Sequence, residues 1–361
     1  MSLWRFAELI APVPEKHRIT LGEGDTPLVR SRSIGPQVGI ERLYFKLESL
    51  NPTGSYKDRF AAVAMSAMVS QGKTHCVGSS SGNAGAALAA YCAAANITCE
   101  LAIVETAPKG KLLQMQAYGA QLKRIRGFGS DPEIMRRTFD RLAAIGSQPD
   151  AELQVTAYHY SPVGMSGVQT ISCELHEQAA VEGILLDHVF VQAGGGGLAL
   201  AVARGFAELH ARGMVPVARR TPAVHVVQPM GNDTIATPLR IGSQQAQAVN
   251  GTTTISGLQV PSVIDGHETL ASCRANGGTG YTVTDEEAWL LQSRLAREEG
   301  VFCEPGAAVS LAGALQAVQL GEIAKDSTVV VLITGTGFKD MTAVERMTHA
   351  DDCPLIDLAE L

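Results

Sequence analysis

Asn51-Pro-Thr-Gly-Ser-Tyr-Lys-Asp-Arg59 is the stretch around which the rest of the chain is organised. An apolar run, Leu43-Tyr-Phe-Lys-Leu47, precedes it and reads as a strand. Phe60-Ala-Ala-Val-Ala-Met-Ser-Ala-Met68 follows and reads as a helix. A lysine at such a strand–turn–helix junction, here Lys57, stands near peptide N–H groups and the positive end of a helix. That setting attracts anions and suits an amine that reacts as a Schiff-base nucleophile. Alone, the stretch also reads as turn chemistry around a solvated lysine. What decides between the two lies further along the chain.

Outward from Lys57, short apolar runs alternate with longer small-residue runs. Strands are predicted at Cys76-Val-Gly78, Cys99 to Val104 and Gln121 to Arg126, and helices over 83–95, 110–118 and 131–145. Asp131-Pro132 supplies an N-cap and first turn for the last of these. The rhythm pauses across Ser147 to Gly167, which is polar, aromatic and turn-rich. It resumes with a helix from about Gln169, a buried strand at Leu185–Ala193, a glycine run and a helix from Leu198. A strand at Ala223–Gln228, helices over 285–299 and 305–319 and a strand at Thr328–Thr334 complete it. Residues 229–280 read as irregular, wrapping the mouth of a site. The β-α-β-α order predicts an α/β protein with parallel sheets flanked by helices.

A chain of 361 residues exceeds one small core, so two domains are expected. Its 45% apolar and 18% charged residues are those of a globular protein. A net charge of -7, with no basic stripe, argues against a nucleic-acid partner. Seven scattered cysteines without a CxxC pair predict neither a disulfide framework nor a metal site, and fit a reducing cytoplasm. No signal pattern opens the chain, and the alanine-rich run Gly85 to Ala95 is too short to span a membrane.

Three further stretches carry chemistry. Ser79-Ser-Ser-Gly-Asn-Ala-Gly85 lies between a strand and a helix, where hydroxyls and a tight backbone aim N–H groups at a carboxylate. A plain helix cap by Ser79 to Ser81 explains it equally well. Gln192-Ala-Gly-Gly-Gly-Gly-Leu198 has four glycines, an entropic cost that a packing turn does not require and a phosphate cradle does. It is not a dinucleotide fingerprint, because no acidic residue follows at the required distance. Ile333-Thr-Gly-Thr-Gly-Phe-Lys-Asp340 closes a buried strand and places a hydroxyl where α/β sheets bind ligands.

An amine, a carboxylate cradle, a phosphate cradle and a strand-end hydroxyl are what pyridoxal phosphate and an amino acid need. Here the sequence resembles the threonine synthase branch of the fold-type II (tryptophan-synthase-β-like) pyridoxal-phosphate enzymes. The likeness runs from Leu3-Trp-Arg-Phe6 and Gly22-Glu-Gly-Asp-Thr-Pro-Leu28 through the lysine and serine stretches. It continues through Pro108-Lys-Gly-Lys111, Gly167-Val-Gln-Thr170, the glycine loop, Phe302-Cys-Glu-Pro305 with Ala308, and Thr334 to Asp340. The resemblance implies two domains, each a mostly parallel sheet flanked by helices: a large cofactor-binding domain of 1–58 and 161–361, and a smaller mobile domain of 59–160. It also implies a homodimer.

Carried over by residue, the resemblance makes Lys57 the Schiff-base lysine and proton shuttle. Asn83 would meet the cofactor's phenolic oxygen, Gly194, Gly195, Gly196 and Gly197 its phosphate, and Thr334 its ring nitrogen. A hydroxyl there leaves that nitrogen largely unprotonated, which suits elimination and replacement better than transamination. Ser80, Ser81 and Gly82 would receive the substrate carboxylate. The implied reaction converts O-phosphohomoserine and water to threonine and phosphate.

Three departures bear on the substrate. The family's Gly-Asn-Thr reads Gly82-Asn83-Ala84, and its closing Thr-Gly-His-Gly reads Thr334-Gly-Thr-Gly337. Its phosphate-reading Asn-Pro-x-Arg falls in Tyr158-His-Tyr-Ser-Pro-Val-Gly164, with Gly164 at the arginine's place. His159 is a candidate replacement contact or a surface residue; Tyr158 and Tyr160 shape a site or pack beneath it. Lys339 and Asp340 read as a solvated pair and Glu304 as a supporting carboxylate. These departures keep open β-elimination or β-replacement on a serine- or threonine-type amino acid. A catalytically silent cofactor-binding protein is the third reading.

Overall fold

A computed structural model describes residues 2–107, 109–215, 221–348, 353 and 355–360. Pro108, quoted above in the Pro108–Lys111 stretch, lies outside the described residues. A 3-10 turn over Leu3–Leu9 precedes β1 (Leu28–Arg30) and β2 (Arg42–Lys46), which pair antiparallel around the short helix α1 (Ile34–Gln37). Helix α2 (Lys57–Ser70) leaves the Asn51–Tyr56 loop. Then come β3 (His75–Ser79), α3 (Asn83–Ala95), β4 (Thr98–Val104), α4 (Lys109–Ala117), β5 (Gln121–Ile125), α5 (Pro132–Gly146) and β6 (Ala151–Gln154). Helices α6 (Pro162–Val168) and α7 (Thr170–Glu182) lead to β7 (His188–Gln192), α8 (Gly197–Ala211) and β8 (Ala223–Pro229). The remainder is α9 (Ala236–Arg240), α10 (Gly266–Ala275), β9 (Gly280–Val283), α11 (Asp285–Glu299), α12 (Pro305–Gln319), β10 (Thr328–Leu332) and α13 (Met341–Glu345).

Two sheets result. One has four parallel strands in the order β5-β4-β3-β6; the other has six, in the order β1-β2-β10-β7-β8-β9, with only β1 antiparallel. Parallel strands covered on both faces need no alternation, and all five residues of β10 are buried. One apolar core runs continuously from the small sheet to the large one through Phe60 and Met65 of α2, Val168 of α6 and Phe206 of α8. A second, holding Phe45, Phe190, Leu311 and Val331, fills the opposite face of the large sheet beneath α11 and α12.

Helices α2 and α6 approach closely at two glycines. A Cβ on Gly167 would stand 2.3 Å from the Arg59 carbonyl oxygen, and one on Gly164 would stand 2.6 Å from Phe60 Cε2. Position 164 thus faces the interior of a helix pair. The arginine that the resemblance sets there has no room for its first carbon.

Two residues after Lys57 in the same helix, Arg59 is fully buried. Its guanidinium donates to Glu48 Oε1 and Oε2 at 2.7 Å each, and to Glu174 Oε1 and Oε2 at 2.7 and 2.8 Å. Lys46 Nζ meets the same Glu174 at 2.7 Å and the Thr26 carbonyl at 2.7 Å. Two cations and two carboxylates therefore balance with their bonding capacity filled, the condition under which buried charge is tolerated. Burial alone would raise the Glu174 carboxyl, but Arg59 and Lys46 hold it well below its ordinary range. The cluster ties α2, β2, α7 and the Thr26 segment into one block beneath the lysine.

Two stretches expected to be irregular hold regular structure. The pause at 147–167 contains β6, which pairs in parallel with β3, and most of α6. Within 229–280 lie α9 and the ten-residue helix α10. Among the described residues, no helix is long and apolar enough to cross a membrane.

Candidate active site

Three adjacent strands of the large sheet finish on one edge, where parallel α/β sheets bind their ligands. After β2 comes the Lys57 loop, after β10 Thr334, and after β7 the glycine run. The first two are stitched together: Tyr56 N–H donates to the Thr334 carbonyl at 3.1 Å, Ser49 N–H to Ile333 at 2.8 Å, and Ser55 bridges Gly335. The small sheet contributes the segment after β3, residues 80–83, and that after β6, residues 156–159.

Lys57 opens α2 and is half-buried. Its Nζ donates to Thr156 Oγ1 at 3.0 Å and lies 4.4 Å from the centre of the Tyr56 ring. Thr156 was not singled out in the sequence, and a lone threonine in a loop gives no signal. Next to Lys57, the Asp58 carboxylate is buried and receives the Thr53 N–H at 2.8 Å and the Thr53 hydroxyl at 2.7 Å. Burial outweighs those bonds and pushes its carboxyl up to about 7.

The glycine run forms a cradle. Gly196 has φ 99, and a Cβ there would meet Thr269 Oγ1, so only glycine fits. The carbonyls of Gly194, Gly195 and Gly196 accept from Gln228 Nε2 (3.1 Å), Asp265 N–H (3.1 Å) and Thr269 Oγ1 (3.2 Å). With its carbonyls so engaged, the loop offers its N–H groups and the amino end of the fifteen-residue α8 to an anion. Thr334, at the end of β10, is buried and its hydroxyl accepts from Gln192 Nε2.

Asn83 Nδ2 donates to Glu304 Oε1 at 2.8 Å across the cleft. Gly335 makes room for this contact, since a Cβ there would stand 2.2 Å from that oxygen. Gly82 is the N-cap of α3 and no side chain caps it; Ser80 Oγ instead accepts from Gly82 N–H at 3.2 Å. The serines thus do not cap α3 in the way a helix start alone would use them. Ser80, Ser81, Gly82 and Asn83 are all half-buried at the helix's positive end.

Some expected contacts are absent. The His159 ring is exposed and packs edge-on against Tyr160 at 4.7 Å, and only its backbone N–H reaches inward, to Asp265 Oδ1 at 2.9 Å. The other oxygen of Asp265 takes the Tyr158 N–H at 2.8 Å. Tyr158 packs beneath the loop, its hydroxyl accepting from Gln169 and its ring covered by Arg204. Lys339 is not a solvated partner of Asp340: its Nζ donates to Gln114 Oε1 at 2.6 Å, and Asp340 caps α13. Burial lowers the Lys339 ammonium against the pull of Glu304 and Asp58. Gln114 also donates to the Thr53 carbonyl at 3.2 Å, so α4 touches the lysine loop.

The Lys57 amine, a glycine cradle at a helix start and a buried strand-end hydroxyl thus converge on one edge. The family model for pyridoxal-phosphate dependent enzymes matches residues 19–335. The chain belongs to this family. Threonine synthase of Methanosarcina acetivorans is 32% identical over 347 residues, covering 95% of this chain and 81% of that one. Threonine synthase of Methanocaldococcus jannaschii is 30% identical over 351 residues, covering 97% and 83%. Among solved structures, the processed form of threonine deaminase isoform 2 from Solanum lycopersicum aligns with a TM-score of 0.73 at 21% identity, covering 97% of this chain and 94% of that one. Both sheets, mostly parallel and flanked by helices, are those of fold-type II members of the family. Its cofactor is pyridoxal phosphate, and the residues on this edge fit it: the cradle admits no side chain at Gly196, and the lysine faces the same cleft.

Proposed function

We propose that this enzyme is a threonine-synthase-like lyase, forming threonine and phosphate from O-phosphohomoserine and water. The observation that carries the reading is the convergence of Lys57, the glycine cradle and Thr334 on one sheet edge, in a chain similar to threonine synthases over nearly its whole length. Bound there, the cofactor supplies an electron sink for charge developing at the substrate's α-carbon. Lys57, as the Schiff-base lysine, would take and return protons at that carbon, with Thr156 Oγ1 holding its amine. Gly194 to Gly197 would hold the cofactor's phosphate through their N–H groups, and Asn83 would meet its phenolic oxygen. Ser80, Ser81 and Gly82 bind the substrate carboxylate at the positive end of α3. The smaller mobile domain of 59–160 would close on 1–58 and 161–361 through its part beyond α2, because Arg59 fixes the start of that helix to the larger domain, with Gln114–Lys339 and Asn83–Glu304 as the contacts that hold water out. The enzyme works as a cytoplasmic homodimer.

One observation favours a second reading, β-elimination or β-replacement on a serine- or threonine-type amino acid. Gly164 lies against Phe60 and cannot carry a phosphate-binding side chain. Phosphate release and threonine formation from O-phosphohomoserine, measured beside Lys57→Ala, decide the matter. Turnover lost in the variant supports the first reading. No phosphate release, with the cofactor spectrum still responding to serine or threonine, moves the assignment to the second.

A further inference from the structure

Gln192 ends β7 two residues before the glycine loop, and its side chain is turned toward β10. Its Nε2 donates to the Leu332 carbonyl oxygen at 3.3 Å and to the Thr334 hydroxyl oxygen. The amide has one admissible orientation: a carbonyl oxygen only accepts, so nitrogen, not Oε1, faces Leu332. Oε1 is left on the other side, buried and without a partner.

The direction of the Thr334 hydroxyl proton follows. Its oxygen accepts from Gln192, so the proton is the group it has left to give. The Leu332 carbonyl already receives Gln192 Nε2, and the single Ser310 hydroxyl proton is shared between that carbonyl and the Ala307 carbonyl, each at 3.1 Å. The proton of Thr334 is therefore available to an acceptor in the cleft. Without Gln192, the Thr334 oxygen loses the donor that fixes the direction of its proton.

We infer that Gln192 is a positioning residue that sets the polarity of Thr334, making its hydroxyl a donor to the cofactor's ring nitrogen. This rests on Thr334 being the partner of that nitrogen. A ring nitrogen that accepts from a fixed donor stays unprotonated. Carbanion charge is then drawn less deeply into the ring, and expulsion of a leaving group competes better with transamination. The specificity of the reaction is set in part by a glutamine that does not touch the reacting atoms.

The test uses holoenzyme reconstituted with pyridoxal phosphate carrying nitrogen-15 in its ring, whose chemical shift reports protonation directly. Native enzyme should read unprotonated. Gln192→Met should move the resonance toward the protonated value. Thr334→Val should move it away from the hydrogen-bonded value, and the double variant should read the same as Thr334→Val alone, because no hydroxyl remains to be turned. Gln192→Glu keeps the shape and, once ionised, accepts where the amide donated, so its resonance should move toward the protonated value as pH rises. Melting temperature and cofactor content are measured beside each spectrum. A resonance unchanged in both Gln192 variants but shifted in Thr334→Val overturns the inference while sparing Thr334 as the ring partner. A resonance unchanged in Thr334→Val overturns that assignment, and with it the inference. A Gln192 variant that melts earlier without moving the resonance marks a merely structural glutamine, which also overturns it.

Discussion

Lys57 Nζ and Thr156 Oγ1 stand 3.0 Å apart, although the two residues are 99 positions apart in sequence. The bond joins the first turn of α2 to the segment that follows β6, so the amine is held from the small-sheet side of the cleft. Replacing the hydroxyl with a methyl leaves the ammonium without this acceptor. Thr156→Val should lower kcat about tenfold, equivalent to about 1.4 kcal/mol at the transition state, and Thr156→Ser should recover most of it. Steady-state kinetics and the rate of cofactor release by a competing amine read the effect. Equal kcat in native and Thr156→Val enzyme would remove the threonine from the mechanism.

Arg59 is the partner of two buried carboxylates, so its loss should be felt as uncompensated charge. Arg59→Met fills similar volume but leaves Glu48 and Glu174 with only Lys46 opposite them. A cost of about 3–5 kcal/mol is expected for breaking a buried ionic cluster. The midpoint of urea unfolding measures it. A variant within about 1 kcal/mol of native would show that the cluster relaxes or takes in water.

Asp58 predicts a pH dependence of stability with a definite sign. Its carboxyl is raised from 3.8 to about 7 by burial. The folded protein therefore holds a proton that the unfolded chain has released, and stability from this group is fully present below the unfolded value. It is lost as pH rises through that value toward about 7. Asn at this position can take the Thr53 N–H on its oxygen and give a proton to the Thr53 hydroxyl. Relative to Asp58→Asn, the native protein should lose stability across this window and then level off. Parallel unfolding curves of the two proteins at all pH values would contradict the assignment.

Gly164 separates packing from recognition. Gly164→Ala places a methyl against Phe60 and Ala64, and overpacking of a filled helix contact costs about 1–3 kcal/mol. Shortening the ring with Phe60→Ala should restore part of the loss in the double variant. Thermal unfolding of the two single variants and the pair gives the coupling. Additive losses would mean that the ring is not what crowds position 164.

Much of this arrangement was legible in the sequence because its signals are local. The glycine cradle, the lysine turn and the all-buried β10 each announce themselves within ten residues. The Arg59 cluster does not. Its guanidinium reaches Glu174 across 115 positions, and Lys46 reaches the same carboxylate across 128, so each charge looks ordinary until the helices are packed. Gln192 stands in the glycine motif, but its amide matters only because β10 runs beside β7. Strand β6 has the pattern Ala-Glu-Leu-Gln, too short and too polar to stand out, and pairing with β3 gives it its form. In the sequence Gly164 marks only a missing arginine; Phe60, which fills the space, is brought there by the packing of α6 on α2.

The tenth strand of the chain lies third in the large sheet, between β2 and β7. A polypeptide growing from its amino end thus makes Lys57 and the glycine cradle long before the strand that joins them exists. Until residues 328–334 have emerged from the ribosome, β2 and β7 each present a bare edge, and the lysine loop has no Thr334 to bond. Such edges invite pairing with other chains. Assembly of the site is therefore one of the last events in the birth of the molecule, and a transcript cut short before Thr328 would yield a product that carries Lys57 and the glycine cradle without the strand that lies between them.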